Sequence, residues 1–177
     1  ADSMYKWSRN YNLLGLLYEK LNRPKEAEMY YLRALECEEN DVYGLMNLAV
    51  IYSSKGDFEK AKEFFRKAFS IDSSNADLHY NYGVFLSKYP GNELLAEKSY
   101  WKCIQLNPAH RKALNNMGVI MMRKGKYAEA AGYFSNALRI EPSNPELMVN
   151  LAVAELELDK RAEAAALLDQ ALAASPN

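Results

Sequence analysis

A self-similar period of about 34 residues constrains this chain more than any other feature. Small residues stand at Gly15, Ala49, Gly83, Gly118 and Ala152. Alanine follows twelve or thirteen residues later, at Ala27, Ala61, Ala96, Ala130 and Ala164. Four further on comes an aromatic ring or leucine, at Tyr31, Phe65, Tyr100, Phe134 and Leu168. A second small residue closes each set, at Ala34, Ala68, Cys103, Ala137 and Ala171. A fixed period of this length means stacked units, none able to bury its apolar face alone. The register gives five units, 8–41, 42–75, 76–110, 111–144 and 145–177, after an extension at 1–7.

Each unit reads as two helices. In the fourth, Leu114, Met117, Gly118 and Met121 recur at three- and four-residue spacing, which marks one face of a helix. The first helices are predicted to stop near Asn22, Gly56, Gly91, Gly125 and Asp159, because Gly and Asn, and less readily Asp, adopt the left-handed conformation that ends a helix. Pro24 suits the first turn of a second helix. Asn144-Pro145-Glu146 supplies a cap, a first-turn proline and a favourable charge. The recurrent small residues sit where two helices cross too closely for a larger side chain, so Cys103 reads as a small buried hydrophobe. The third unit carries one extra residue in its turn, Tyr89-Pro90-Gly91-Asn92-Glu93.

This pattern resembles the tetratricopeptide repeat (TPR) family, in five copies covering all but the first seven residues. The resemblance implies an all-α, right-handed α-solenoid of antiparallel helix pairs and a role in protein–protein interaction. The opening Met4-Tyr5-Lys6-Trp7 reads as the tail of a preceding helix, or as a tag remnant. The chain stops at Ser175-Pro176-Asn177 without the polar capping helix that solenoids need. That would leave an apolar strip at Leu167, Leu168, Ala171 and Leu172, open to self-association or to further repeats.

A candidate binding face follows from turning 100° per residue around each first helix. Positions 4, 7, 8 and 11 gather on the packing side, and positions 2, 6, 9 and 13 on the opposite one. A simple surface helix would make that opposite side charged. Here position 9 is Leu16, Val50, Val84, Val119 and Val153, and position 6 is Leu13 followed by Asn47, Asn81, Asn116 and Asn150. A stripe of aliphatic and neutral amide side chains suits the concave lining of a superhelix. An Asn amide offers one acceptor and two donors, which match the C=O and N–H of an extended peptide. Each such bond is worth on the order of 1 kcal/mol, so a micromolar interaction is expected. The same amides could instead bond to their own neighbours.

The ladder looks like the one lining the TPR superhelix of the O-linked N-acetylglucosamine transferase family, where it holds peptide backbones. Chaperone-binding TPR domains clamp a carboxylate with Lys at position 5 and Asn at positions 9 and 6 of successive repeats, and with Lys and Arg at positions 2 and 6 of the next. Position 5 is Asn12, Met46, Tyr80, Asn115 and Val149 here, and only Lys112 with Asn116 matches any of that clamp. Tyr43 and Tyr80 are candidate anchors or junction packing residues. Arg9, Lys20, Lys88, Lys112 and Arg123 outnumber Asp77 at the groove's charged positions in the first four units, which suits an acidic ligand segment, or equally charges that are merely solvated and serve no partner.

Other chemistry finds no support in the sequence. His79 and His110 lack zinc-type spacing, there is no phosphate-cradling glycine loop, and no cofactor is implied. With a net charge of −1, no global field draws nucleic acid or membrane, and no apolar run reaches the roughly 20 residues that span a bilayer. Lys60, Lys62, Arg66 and Lys67 form a local basic patch without an aromatic stacking platform. Two cysteines distant in sequence favour a reducing, cytoplasmic compartment and leave a bacterial periplasm open. The expectation is a non-catalytic module that binds an extended peptide of a partner. The alternatives are a scaffold using the array ends or convex face, and the substrate-recognition part of a larger enzyme.

Overall fold

The computed structural model describes residues 2–174, with side chains from residue 7 onward. Among these residues are ten α-helices: α1 (Asp2–Lys20), α2 (Pro24–Cys37), α3 (Val42–Ser54), α4 (Phe58–Ile71), α5 (Ala76–Ser87), α6 (Glu93–Leu106), α7 (Arg111–Arg123), α8 (Tyr127–Ile140), α9 (Pro145–Glu157) and α10 (Arg161–Ala174). The fold is an all-α solenoid of antiparallel helix pairs. It divides into two compact units, Ala1–Phe85 and Leu86–Asn177. In unit 1, α1 packs on α2, α2 on α3 and α3 on α4. In unit 2 the same order links α6 to α7, α7 to α8, α8 to α9 and α9 to α10.

The turn chemistry follows the sequence closely. Asn22, Gly56, Gly91, Gly125 and Asp159 all carry positive φ, between 55° and 87°. At four of these stops the next residue's N–H reaches five residues back, as Asp57 N to Tyr52 O (3.0 Å) and Lys126 N to Met121 O (2.9 Å). This closes the helix end by satisfying its last carbonyls. Gly91 lies in the turn with the extra residue, and its N–H donates to Glu93 Oε1 instead (3.1 Å). Asn144 caps α9 by accepting from Leu147 N at 3.1 Å, with Pro145 next in the first turn. Asp159 holds a conformation that costs a non-glycine residue about 1 kcal/mol. Asp159→Gly is therefore expected to stabilise unit 2 by about 0.5–1 kcal/mol in urea unfolding.

The recurrent small residues and rings form the core. Ala27, Tyr31, Ala34, Ala61, Ala68, Ala130 and Ala137 are fully buried, and Phe65 and Phe134 nearly so. Cys103 is also fully enclosed, as a small hydrophobe in its slot. In unit 1 the ring of Phe65 meets Tyr82 and Phe85, and Phe69 meets His79, so aromatic edges and faces fill the space between α4 and α5.

At the start of the chain, α1 begins at Asp2, so residues 2–7 are continuous with the first helix. No Gly or Pro separates them from Ser8. The side chains of Met4, Tyr5 and Lys6, and the whole of Ser175-Pro176-Asn177, lie outside the described residues. Leu172 on α10 is 72 % exposed. No described helix is long and apolar enough to cross a membrane.

Candidate functional site

Unit 1 holds a cleft of about 580 Å³ between the first helices of successive repeats. α1 contributes Arg9, Asn12, Leu13 and Leu16, and α3 contributes Tyr43, Met46 and Asn47. Arg9, Leu13, Leu16, Tyr43 and Asn47 hold positions 2, 6 and 9 on the non-packing side of the helical wheel, and Asn12 and Met46 hold the adjoining position 5. They reach the cleft because positions 4, 7, 8 and 11 are taken up against the second helices. Tyr43 and Leu13 are each 56 % exposed, whereas Met46, at 6 %, closes the floor.

A buried carboxylate organises the cleft's edge. Asp41 is the N-cap of α3 and accepts from the backbone N–H groups of Tyr43 (3.0 Å) and Gly44 (3.2 Å). Its other oxygen accepts from Ser8 Oγ and Asn12 Nδ2, both at 2.5 Å, tying the second repeat's first helix to α1. Helix capping and a cross-repeat bond therefore meet in one side chain. Glu38 also lines the cleft, and its pKa is raised first by burial and then by the Asp41 carboxylate beside it. Asn12 is nine-tenths buried in the wall, and its Oδ1 has no hydrogen-bond partner.

The sequence-derived candidates take different places. In unit 1, Asn47 and Tyr43 line the cleft, while Asn81, Tyr80 and Val84 stand half-buried along α5, outside it. In unit 2, Asn116 hydrogen-bonds Tyr100, whose pKa burial raises and this bond lowers. Asn150 donates to Asn115 Oδ1 at 2.9 Å. Two of the four asparagines thus engage partners within their own unit. Val119 is half-buried, and Lys112 and Arg123 are exposed on α7. Of the basic groove residues counted in the sequence, Arg9 alone lines the unit 1 cleft, which Glu38, Asp41 and Asp77 also line. Sequence reasoning missed Glu38 and Asp41 because both lie after α2, off the helical wheel that defined the groove. No group of His, Cys, Asp and Glu suited to a metal occurs among the described residues.

Comparison with known proteins bears on the family. The model for the middle TPR-like domain of cilia and flagella-associated protein 70 matches residues 45–136. Two tetratricopeptide repeat models match residues 8–41 and 121–177. The type IV pilus assembly protein PilF of Pseudomonas aeruginosa is 29 % identical over 135 residues, 73 % of this chain and 52 % of PilF. The chain thus spans about half the length of that relative. A solved structure of P. aeruginosa PilF superposes with a TM-score of 0.88 at 24 % identity, covering 99 % of this chain and 79 % of PilF. PilW, a widely conserved type IV pilus biogenesis factor, gives 0.79 at 22 % identity over 94 % of this chain and 77 % of PilW. YrrB, a TPR protein with an unusual peptide-binding site, gives 0.66 at 24 % identity over 94 % of this chain and 86 % of YrrB. At these identities the structural likenesses speak to the fold. With the family models spread along the length of a chain built from paired helices, this protein belongs to the tetratricopeptide repeat family.

Proposed function

We propose that this chain is a non-catalytic module that holds an extended segment of a partner protein along its groove-side helix faces, with the unit 1 cleft as its principal seat. The TPR scaffold and relatives such as PilF point to protein–protein interaction in general. The observation that carries the finer reading is the cleft itself, an open concavity lined by Asn47, Tyr43, Leu13 and Leu16. Amide groups to pair with peptide backbone, set beside exposed apolar walls, are what an extended segment needs. PilF and PilW are pilus assembly and biogenesis proteins, and a component of such an assembly is the partner we carry over from them.

Photo-crosslinking tests the seat. A photoreactive residue in place of Tyr43 is expected to capture a defined partner in the native host, while one in place of Glu63 on α4 captures none or far less. Equal capture from both positions would count against the groove. A scaffold that self-associates through its last repeat is the second reading, supported by the exposure of Leu172. Light scattering that shows a monomer at all concentrations would remove it.

A further inference from the structure

We propose that the unit 1 cleft selects a large apolar side chain adjacent to a lysine or arginine within the segment it holds. This rests on the groove-binding reading above and narrows it to one ligand chemistry. The apolar part comes from a break in the asparagine row. Position 6 of the first repeat is Leu13, 56 % exposed, and one turn on stands Leu16, 42 % exposed, with Met46 beneath. Exposed aliphatic side chains that converge on a concave wall match an aliphatic or aromatic anchor better than a polar one.

The basic part comes from charge. One cation, Arg9, shares the cleft with three carboxylates, Glu38, Asp41 and Asp77. All four donors to Asp41 are neutral, so its negative charge is hydrogen-bonded but not cancelled. Burial, and then the Asp41 charge beside it, raise the pKa of Glu38. A lysine or arginine side chain supplies the opposite charge, and its aliphatic stem extends the apolar contact. Arg9 and Asp77 occupy equivalent positions two repeats apart, so the cleft's charge is asymmetric along its length. An acidic segment, favoured by counting basic residues in the sequence, meets a net negative cleft in this unit.

A phage-displayed library of random dodecapeptides panned on the whole chain provides the test. Recovered peptides are expected to carry Leu, Ile, Phe or Met within two residues of Lys or Arg. For a synthetic copy of the dominant peptide, Leu13→Asn is expected to weaken binding at least tenfold, and Asp77→Lys about fivefold or more. Glu38→Gln provides a second charge probe with little change in shape. Leu13 and Asp77 are exposed, so these variants should keep the wild-type melting curve. Recovery of Asn47-dependent peptides that are acidic, or that lack the apolar–basic pairing, would overturn this inference and leave the groove reading standing. Recovery of no peptide that depends on Asn47 would overturn both.

Discussion

Asp41→Ala is expected to destabilise unit 1 by about 3 kcal/mol. The side chain makes four hydrogen bonds at once, two to the first backbone N–H groups of α3 and two to Ser8 and Asn12 on α1. Loss of the helix cap alone costs about 1 kcal/mol. The remainder comes from stranding Ser8, 1 % exposed, and Asn12, 9 % exposed, without their acceptor. Asp41→Asn keeps one oxygen for the cap and should cost less than half as much. The two tryptophans, Trp7 and Trp101, fall one in each unit. In a Trp101→Phe background, Trp7 fluorescence therefore follows unit 1 through a urea titration. A loss below about 1 kcal/mol would show that the bonds to Ser8 and Asn12 contribute nothing net.

Two glycines of unit 2 should respond to the same substitution with opposite signs. A Cβ on Gly118 would lie 2.7 Å from Cδ1 and Cζ of Phe134, a ring that is 1 % exposed and cannot swing away. Overpacking of this kind costs about 1–3 kcal/mol, against about 1 kcal/mol that alanine gains over glycine inside a helix. Gly132, inside α8, has no such neighbour within 4 Å, and only the helix gain applies. Gly118→Ala should thus fall below Gly132→Ala by about 1–3 kcal/mol in urea unfolding followed by Trp101. Phe134→Leu should accordingly cost less in the Gly118→Ala background than alone, a coupling that a double-mutant cycle reads directly. Equal stability of the two alanine variants would mean that the close approach of helix and ring does not limit this position.

The two sites differ in how far the sequence reveals them. The small residue at position 8 and the ring at Phe134 recur with the period, so their close packing is legible from the repeat itself. The five helix stops are legible for the same reason, since Gly, Asn and Asp at turn positions state a backbone conformation. The role of Asp41 is harder to see, because its partners lie 29 and 33 residues away. A signal does exist. Ser8 and Asn12 are polar where the second repeat carries Val42 and Met46, and such a paired departure marks a buried polar contact. The asparagine ladder is visible as a pattern, but the use of each amide depends on distances between helices. Asn116 turns to Tyr100 and Asn150 to Asn115, which lies 35 residues away, whereas Asn47 lines an open cleft. The wheel makes four side chains equivalent, and packing makes them unequal.

That inequality leads to the most direct test of the groove. Affinity of the photo-captured partner segment is measured by calorimetry for the wild type, for Asn47→Ala with Asn81→Ala, and for Asn116→Ala with Asn150→Ala. The groove account predicts at least a tenfold loss for the first pair with the melting temperature nearly unchanged, since each lost backbone bond is worth about 1 kcal/mol. It predicts a lower melting temperature for the second pair, whose amides bond within unit 2. Wild-type affinity in the Asn47 and Asn81 variant would contradict it.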